Sequence, residues 1–404
     1  MSMALDTEIQ ATDSAVNVDG LAEFCQDLFY TFTRSDQRKW GEAYVRGLVI
    51  VPGRKTVRKI SELTAGGGAE QCLQQFVNQS TWDWTAVRRD LARHLVREVR
   101  PKAWVIKEVI FPKNGTSSVG VARQFPQSSN RLINCQRGLA IFVVGDYECY
   151  PVNWRLLLPQ SWAKDRTRRR SAHVPDDEAH VPQWRSMLDM IDEMITEWGL
   201  QPAPVVADIR SVKRMGPLLQ GLEALGLHYL LRVPENRPAV TIDADLSTRR
   251  TLSFGEVIGS SLRRNGPWLR TWQVPPTLPG RSPLIVTSLP AEGSGCIHFP
   301  ETYLAAVPQL PRRARPSRHV AAEWSSARQG AKSTWLTTVD MFSKPDMAEL
   351  TTLGDRAGHH LDDLYANTGL LHFEGRSFAG WHHHVTLVSV ARAWSHLFSA
   401  QSAL

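Results

Sequence analysis

Length, composition and charge limit what this chain can be. It has 404 residues, 42% of them hydrophobic and 22% charged, which predicts a folded protein of about two to three units and excludes a disordered or fibrous one. It has no run of about 18 apolar residues and residues 1–20 are polar, so we expect no membrane span, no secretory signal, a poorly ordered N-terminus and a cytoplasmic protein. The net charge of +7 is compatible with nucleic-acid binding, and five scattered cysteines predict neither disulfides nor a zinc site.

Residues 21–100 are predicted to form a helical N-terminal domain. Apolar side chains recur there at helical spacing, as in the stripe of Val87, Leu91 and Leu95. Asp83 precedes this stripe and is expected to cap its helix. The arginines between the apolar positions are then exposed or partly exposed. Such a domain suits either DNA binding or a helical cap packed on the main domain.

From residue 103 onward, short apolar runs alternate with amphipathic stretches. This alternation predicts an α/β core with a mixed sheet. The predicted strands cover residues 104–106, 139–144, 204–208, 229–233 and 333–338, and the predicted helices cover residues 184–198, 218–225, 347–365 and 378–398.

The chain after the helical domain divides into three parts. Residues 101–234 are predicted to be the first part of the core and residues 331–404 the second part. Residues 235–330 are rich in Pro, Gly, Ser and Arg and contain short β-like pieces. They are therefore predicted to be a β-rich insertion.

Several separated sequence blocks carry a resemblance. They are Ala103-Trp-Val-Ile-Lys-Glu-Val-Ile-Phe111, Asn134-Cys-Gln136, Leu158-Pro-Gln-Ser-Trp162, Val205-Val-Ala-Asp208, Leu227-His-Tyr-Leu-Leu-Arg-Val-Pro234 and Gly369-Leu-Leu-His-Phe-Glu-Gly-Arg-Ser-Phe-Ala-Gly-Trp-His-His-His384. From about residue 40 to the end of the chain, these blocks resemble the DDE transposases of bacterial insertion sequences. The resemblance implies an RNase H-like fold, in which a mixed-sheet core carries the helical domain and the insertion.

The resemblance also implies an active site that this sequence has altered. Members of that family use Asp, Asp and Glu to hold two divalent cations about 4 Å apart for phosphoryl transfer. Asp208 matches the second carboxylate, but Lys107 stands at the first position, and counting back from Gly369 puts Gly358 at the third. Only a shifted register would bring Asp362 or the residue after it into the site. An ammonium repels a cation and cannot bind one, so we expect no metal, no cofactor and no DDE nuclease activity.

Lys107 admits two interpretations. The first two catalytic strands lie side by side in the family, so the resemblance places Lys107 near Asp208 and predicts an ion pair in the former metal site. That pair is either purely structural, or Lys107 has a lowered pKa and acts as a base or nucleophile in new chemistry. Glu108 is expected to face the other side of the sheet, since neighbouring residues on a strand alternate.

Three further side chains are candidate site residues. His359 and His360 together with Asp208 would make a polar or proton-transfer site, or they lie exposed at the beginning of a helix. Glu374 belongs to the resembling block and either forms a local salt bridge or takes part in catalysis. The three consecutive histidines that end at His384 cannot converge on one ion, because neighbouring helical residues project about 100° apart.

Clusters of arginine are candidate phosphate contacts, although each is equally readable as a solvated loop or helix face. The candidate DNA-binding residues are Arg88, Arg89, Arg93, Arg166, Arg168, Arg169, Arg170, Arg312, Arg313 and Arg315.

The predicted function is that of a transposase-derived protein that is a DNA-binding or regulatory protein and has no metal-dependent nuclease activity. One alternative is an enzyme that acts on a small molecule in the former cleft through Lys107 and Asp208. A second alternative is a DNA transposase with a displaced set of carboxylates. The partners are accordingly DNA or a small-molecule substrate, with no membrane, and the sequence does not indicate the oligomeric state.

Overall fold

A computed structural model shows a mixed α/β protein. The structure describes residues 20–127, 129, 131–245, 248–262, 271–274, 284–289, 297–298, 316–326, 330–340 and 345–401. Apart from Gly20, the N-terminus that was predicted to be poorly ordered lies outside these residues.

Five helices precede the sheet. They are α1 (Leu21–Leu28), α2 (Ser35–Ile50), α3 (Val57–Thr64), α4 (Glu70–Asn78) and α5 (Trp84–Glu98). The predicted cap of α5 is confirmed, because the Asp83 carboxylate accepts a hydrogen bond of 2.8 Å from the Thr85 amide. The stripe of Val87, Leu91 and Leu95 is fully buried, as its spacing predicts.

The next elements form the centre of the sheet and its first covering helices. They are β1 (Ala103–Pro112), β2 (Ala122–Gln124), β3 (Ile133–Val144), β4 (Cys149–Leu157), α6 (Gln160–Ala163), α7 (Arg166–Ser171), α8 (Gln183–Thr196), β5 (Val205–Asp208), α9 (Gly216–Ala224) and β6 (Tyr229–Val233). The predicted strands and helices of this region are confirmed.

The strand order identifies the type of core. Strand β3 pairs antiparallel with β1 and β4, whereas β1 and β5 pair in parallel, as do β5 and β6. The resulting order, β4-β3-β1-β5-β6, is RNase H-like. Residues 103–106 of β1 are all buried. Both faces of this central strand are covered, which explains why its apolar residues form a continuous run and do not alternate with polar ones.

The region predicted to be an insertion contains six strands and one helix among its described residues, and a seventh strand begins at its last residue. They are β7 (Pro238–Asp245), β8 (Thr248–Ser253), α10 (Phe254–Leu262), β9 (Thr271–Val274), β10 (Leu284–Ser288), β11 (Ile297–His298), β12 (His319–Ser326) and β13 (Gly330–Thr337). Strand β13 pairs with β6, and β12, β10 and β9 continue the same sheet, whereas β11, β7 and β8 form a separate three-stranded sheet. The domain boundaries at 235 and 330 stay a prediction.

Two long helices complete the chain. Helix α11 (Met347–Asp363) continues into a π-helical turn over Leu364–Thr368, and α12 (Phe378–Gln401) follows a short 3-10 turn. Helix α12 packs against α2, α4, α5 and β4, and its residues 380–391 are all buried. A helix that is covered on every side needs few polar residues, which explains its composition. None of the described helices combines the length and the hydropathy that crossing a membrane requires.

Candidate functional site

The end of β5 lies between the middle of β1 and the end of β6. Ile106 of β1 is paired with Ala207 of β5, so the residues that follow them, Lys107 and Asp208, stand side by side. Asp208 is also paired with Arg232 of β6. The sheet therefore brings together the first two positions that were predicted from the sequence.

Helix α11 approaches this part of the sheet through two glycines one turn apart. A Cβ atom on Gly354 would lie 3.1 Å from Cγ1 of Val206, and a Cβ atom on Gly358 would lie 3.5 Å from Nζ of Lys107. The residue counted as the third position thus faces the ammonium across the gap between helix and sheet. With no side chain at Gly358, that gap accommodates the end of Lys107.

The surroundings of Lys107 disfavour its charged form. Burial lowers the pKa of its ammonium below the ordinary value, and this effect exceeds the opposing effects of Asp355, the largest, and of Asp208. Arg232 lowers the pKa of Lys107 a little further. The lysine is therefore a largely buried cation that carboxylates attract only in part.

The expected ion pair between Lys107 and Asp208 is wrong. Asp208 instead receives Arg210, which donates from Nε to Oδ1 at 3.0 Å and from Nη2 to Oδ2 at 2.7 Å, while the Arg210 amide donates to Oδ1 at 3.2 Å. Among the described residues, Lys107 takes part in no ion pair. A guanidinium two residues away in the chain engages both oxygens of a carboxylate at little entropic cost, so Arg210 displaces the lysine.

Glu108 lies on the opposite face of β1, as the alternation along the strand predicts. Its Oε1 accepts a hydrogen bond of 2.6 Å from Nε of Arg137, and its Oε2 accepts one of 2.9 Å from the Gln127 amide. These bonds fix the carboxylate in a structural role. Glu108 therefore does not replace the missing first carboxylate beside Asp208.

The residues of the site do not fit a pair of divalent cations. An ammonium occupies the first position, the one matching carboxylate is engaged by Arg210, and Gly358 offers no oxygen ligand from a side chain. Nowhere in the described part of the chain do three His, Cys, Asp or Glu side chains gather in a way that could hold a metal ion. The side chains around Lys107 therefore support no reaction step that runs through a bound metal.

The two histidines near the end of α11 do not join Asp208. His359 is exposed, whereas Nδ1 of His360 accepts a hydrogen bond of 2.7 Å from Nη2 of Arg392 on α12. Burial lowers the pKa of His360 to about 4, and Arg392 adds to that effect. Both the predicted proton-transfer site with Asp208 and the predicted place at the beginning of a helix are therefore wrong.

Glu374 forms a local salt bridge, one of the two roles considered for it. Its Oε1 lies 2.7 Å from Nη2 of Arg54, and both side chains are exposed. Glu374 lies in the loop before α12. That loop is attached to Lys113, past the end of β1, whereas Lys107 lies in the middle of the strand. Glu374 therefore stands apart from the site around Lys107.

The three consecutive histidines of α12 are packing residues in the interior. His383 stacks on Trp82 with ring centroids 4.0 Å apart, and the Tyr44 hydroxyl donates to Nδ1 of His384 at 3.0 Å. Burial lowers the pKa of His383 and of His384 to about 4, and it lowers that of His382 well below its ordinary value. Burial therefore favours the neutral form of all three rings, whereas the carbonyls of Val77 and Trp82, which face the two ring nitrogens of His383, oppose this effect for that ring.

Arg88 was predicted to be a DNA-binding residue on an exposed helix face, and this is wrong. It is buried and donates to Thr386 Oγ1 at 2.7 Å, to the Trp154 carbonyl at 2.8 Å, and to both Nδ1 and the carbonyl of His382 at 3.1 Å. Burial lowers the pKa of its guanidinium to about 9. The four hydrogen bonds of Arg88 join α5 to α12 and β4. They satisfy buried polar groups to which an apolar side chain could not donate.

The remaining candidate arginines fall into three groups. Arg89, Arg168 and Arg169 are partly buried and bonded, respectively, to Asp90, to the Val121 carbonyl and to the Glu178 carbonyl, whereas Arg93 is exposed and donates to the Trp198 carbonyl. Arg166 and Arg170 are exposed on α7. Arg312, Arg313 and Arg315 lie outside the described residues. Of the described candidates, Arg93, Arg166 and Arg170 are thus exposed.

Sequence reasoning missed three charged residues of the site. Asp355 is the carboxylate with the largest electrostatic effect on Lys107, Arg210 holds Asp208, and Arg232 is paired with Asp208 across the sheet. Asp355 precedes Gly358 by three residues, so the spacing of neighbours on a helix could have found it. The spacing between an aspartate and a donor two residues later could have indicated Arg210.

The strands that carry Lys107 and Asp208 lie within the part of the chain that matches one family of sequences. The family described as DDE superfamily endonuclease matches this chain over residues 27–255. The chain belongs to that family. The match runs from α1 through α5, the whole β4-β3-β1-β5-β6 core and Asp208, and ends in α10. No curated protein sequence gives a significant match.

Proposed function

We propose that this member of the DDE endonuclease superfamily is a transposase-derived protein that binds DNA and has no metal-dependent nuclease activity. The observation that carries the proposal is the position of Lys107, whose Nζ points at Gly358 from beside Asp208. A resident ammonium repels the cations that the reaction requires, and two of the three expected ligands are missing. The engagement of Asp208 by Arg210 further supports the proposal.

Exposed basic side chains support the DNA-binding part of the proposal. Lys213 and Arg214 follow Asp208 and Arg210 at the end of β5, and Arg166 and Arg170 are exposed on α7. Such side chains attract phosphates through their charge, without regard to sequence, and release counterions on binding. DNA binding of this kind needs no carboxylate and no metal.

Two measurements on the full chain test the proposal. Supercoiled plasmid incubated with the protein and either MgCl₂ or MnCl₂ should remain supercoiled. A gel-shift titration with duplex DNA should show an affinity that falls steeply as salt rises, and charge reversal by Lys213→Glu with Arg214→Glu should weaken it. The matched control is Lys59→Glu, an exposed lysine on α3. Nicking by the unaltered protein, or the absence of any salt-dependent shift, would contradict the proposal.

A second candidate function is amine chemistry at Lys107 on a small carbonyl compound. The observation that favours it is that burial lowers the pKa of Lys107, so more of the neutral nucleophilic amine is present than on an exposed lysine. The amine would add to the carbonyl carbon and lose water to form an imine. Incubation with pyridoxal 5′-phosphate and borohydride, followed by peptide mass spectrometry, should then label Lys107 before Lys59. Labelling of Lys59 first would remove this candidate.

A further inference from the structure

A polar cavity of about 620 Å³ lies between α4, the end of α7 and the loop that precedes α12. The loop is fastened to the end of β1, because Nζ of Lys113 donates to the Phe373 carbonyl at 3.0 Å. It is also fastened to α4, because the Ser377 hydroxyl donates to the Asn78 carbonyl at 2.9 Å. The cavity therefore has walls that are fixed to one another, and it is separate from the site around Lys107.

One wall of the cavity is a row of amide side chains. Gln71, Gln74, Gln75 and Asn78 all line it, and their spacing of three and four residues puts them on a single face of α4. The opposite face of α4 is apolar and buried, so the helix separates core from cavity. Each amide offers paired donors and an acceptor. The side chains of Gln71, Gln74 and Gln75 are exposed, whereas the amide of Asn78 turns into the protein: its Nδ2 donates to the Gln74 carbonyl at 3.1 Å and its Oδ1 is buried.

The charge around the cavity is on balance positive. Arg376 lines it with an exposed side chain, and the one carboxylate in the wall, Glu374, is already paired with Arg54 at 2.7 Å. Burial lowers the pKa of His372, and the charges of Arg54 and Lys55 lower it further, against the opposing effect of Glu374. An anionic group is therefore attracted to this end of the cavity.

His173 adds a strained backbone at the cavity. Its φ of 51° makes it the one residue other than glycine with a positive φ in the described part of the chain. A left-handed conformation costs a non-glycine residue on the order of 1–3 kcal/mol and tends to persist where it serves a site. Here it places His173 in the wall of the cavity, which the amides of α4 also line.

From these features we infer that the cavity binds one nucleotide, whose base is read by the amides of α4 and whose phosphate is held by Arg376. Glutamine and asparagine pair their amide with the edge of adenine, so an adenine nucleotide is the expected ligand. Arginine supplies two donors to phosphate oxygens. His173 provides a ring against which the base can stack.

The nucleotide comes either from a DNA strand or from solution. The loop that lines the cavity is bonded to Lys113, just past the end of β1 at Pro112. The five residues of β1 from Lys107 to Pro112 span about 17 Å. That length matches about five nucleotides of one strand of a duplex. A strand that runs along β1 from the position of Lys107 would therefore reach the cavity with its end or with an unpaired base. This version of the inference rests on the proposed DNA binding, whereas binding of a free nucleotide does not.

Binding measurements on the full chain test the inference. A fluorescein-labelled oligo(dA) strand should bind more tightly than oligo(dT), as followed by fluorescence anisotropy, and AMP should be tested separately by calorimetry. Gln74→Leu keeps the size of an exposed side chain and removes its hydrogen bonds, so the affinity for adenine should fall about tenfold. Arg376→Gln should lower the affinity and reduce the salt dependence by about one phosphate contact. The control is Gln26→Leu, an exposed glutamine on α1.

Each outcome supports or overturns the inference. If the strand binds and AMP does not, and both variants weaken the strand, the cavity reads part of a polymer. If AMP binds and both variants weaken it, the cavity holds a free nucleotide, even where duplex DNA fails to bind and the proposed function is wrong. If neither probe binds, or if both variants bind as tightly as the unaltered protein with melting temperatures unchanged, the inference is overturned.

Discussion

Lys107 and Gly358 face each other across the gap between β1 and α11, with Nζ of the lysine 3.5 Å from the place of a Cβ atom on the glycine. The two positions are thus linked in size as well as in charge. A glutamate at 358 would have to share its space with an ammonium, and an aspartate at 107 would leave the space empty. Each substitution at one position is therefore expected to depend on the residue at the other.

Acidic side chains at both positions should give the protein metal-dependent nuclease activity if the proposed function is right. Lys107→Asp combined with Gly358→Glu places acidic side chains at the first and third positions beside Asp208, and we expect manganese-dependent nicking of supercoiled plasmid. Arg210→Ala in the same background should increase the rate, because it frees both oxygens of Asp208.

The single variant Lys107→Asp serves as a comparison for the double variant. Asp355 is the carboxylate with the largest effect at position 107, so the single variant tests whether Asp355 can act as the third ligand. Equal nicking by the single and double variants would favour Asp355 over position 358. No nicking by any of these proteins would leave the assignment of Gly358 unsupported.

Lys107→Met should stabilise the protein at pH 7. The variant removes a buried cation that forms no ion pair with a described residue and keeps a chain of similar length, so the free energy of unfolding should rise by about 1–2 kcal/mol. The folded-state pKa of Lys107 lies below its ordinary value of 10.5, so between these two pKa values the unfolded chain binds more protons than the folded chain. The charged lysine therefore destabilises the folded state less as the pH rises toward 10.5. The advantage of the variant should therefore shrink with rising pH in urea unfolding.

A matched control is Lys102→Met. Lys102 lies 2.6 Å from Oε1 of Glu349 and is partly exposed, so its loss should lower the free energy of unfolding by at most about 1 kcal/mol. A destabilised Lys107→Met would show instead that the ammonium makes a favourable interaction in the folded state.

Arg88→Ala should destabilise the fold without acting selectively on DNA binding. The truncation leaves the Trp154 carbonyl and the His382 ring without the donor that Arg88 supplies, so we expect a loss of about 3–5 kcal/mol in the free energy of unfolding. Arg89→Ala, one residue along α5, should cost less than about 1 kcal/mol because Arg89 is partly exposed and pairs with the neighbouring Asp90. Chemical unfolding measures both, and similar losses would contradict the interior role of Arg88.

Acid should weaken the packing of α12. The pKa of His384 is about 4 in the folded chain against an ordinary value of 6.5, so between these values the unfolded state binds more protons. The contribution of the neutral ring is therefore complete above pH 6.5 and falls as the pH drops toward 4, by roughly 2–4 kcal/mol.

The variant His384→Gln tests this dependence, because an amide can still accept the hydrogen bond from Tyr44 but does not titrate. The melting temperature of the variant should fall less between pH 6.5 and pH 4 than that of the unaltered protein. His359→Gln is the control, since His359 is exposed on α11. Parallel pH profiles for all three proteins would exclude a contribution from His384.

The fold could be predicted from sequence to a large extent, because periodicity reports burial directly. The apolar run at 104–106 predicted a strand covered on both faces, and β1 has that burial. Residues 229–233 were predicted to be a strand and form β6 with the same bounds. Pairing between distant strands leaves no such trace, so β13 was predicted as a strand of the core without its partner β6, and the pairing of β12 with it was not predicted.

The site was harder to predict, since charges reveal neither their partners nor their burial in a sequence. The spacing of Arg88 predicts an exposed helix face. It is buried instead, because it donates hydrogen bonds to Thr386 and Trp154, which are far away in the chain. Asp208 was correctly placed at the end of a buried strand, but its partner depends on the local turn that brings Arg210 back to it. Spacing alone therefore located the carboxylate and missed its guanidinium.

The hydrogen bonds between β6 and β13 tie the middle of the chain to the central sheet. Thr334 and Leu336 of β13 are paired with Val233 and Leu231 of β6. A shortened protein without residues 235–337 would expose one side of β6 as a bare row of amide and carbonyl groups, which invites another chain to add a strand there. Excising this region would thus yield aggregates or swapped dimers, so trimming is a poor route to a minimal version of the molecule.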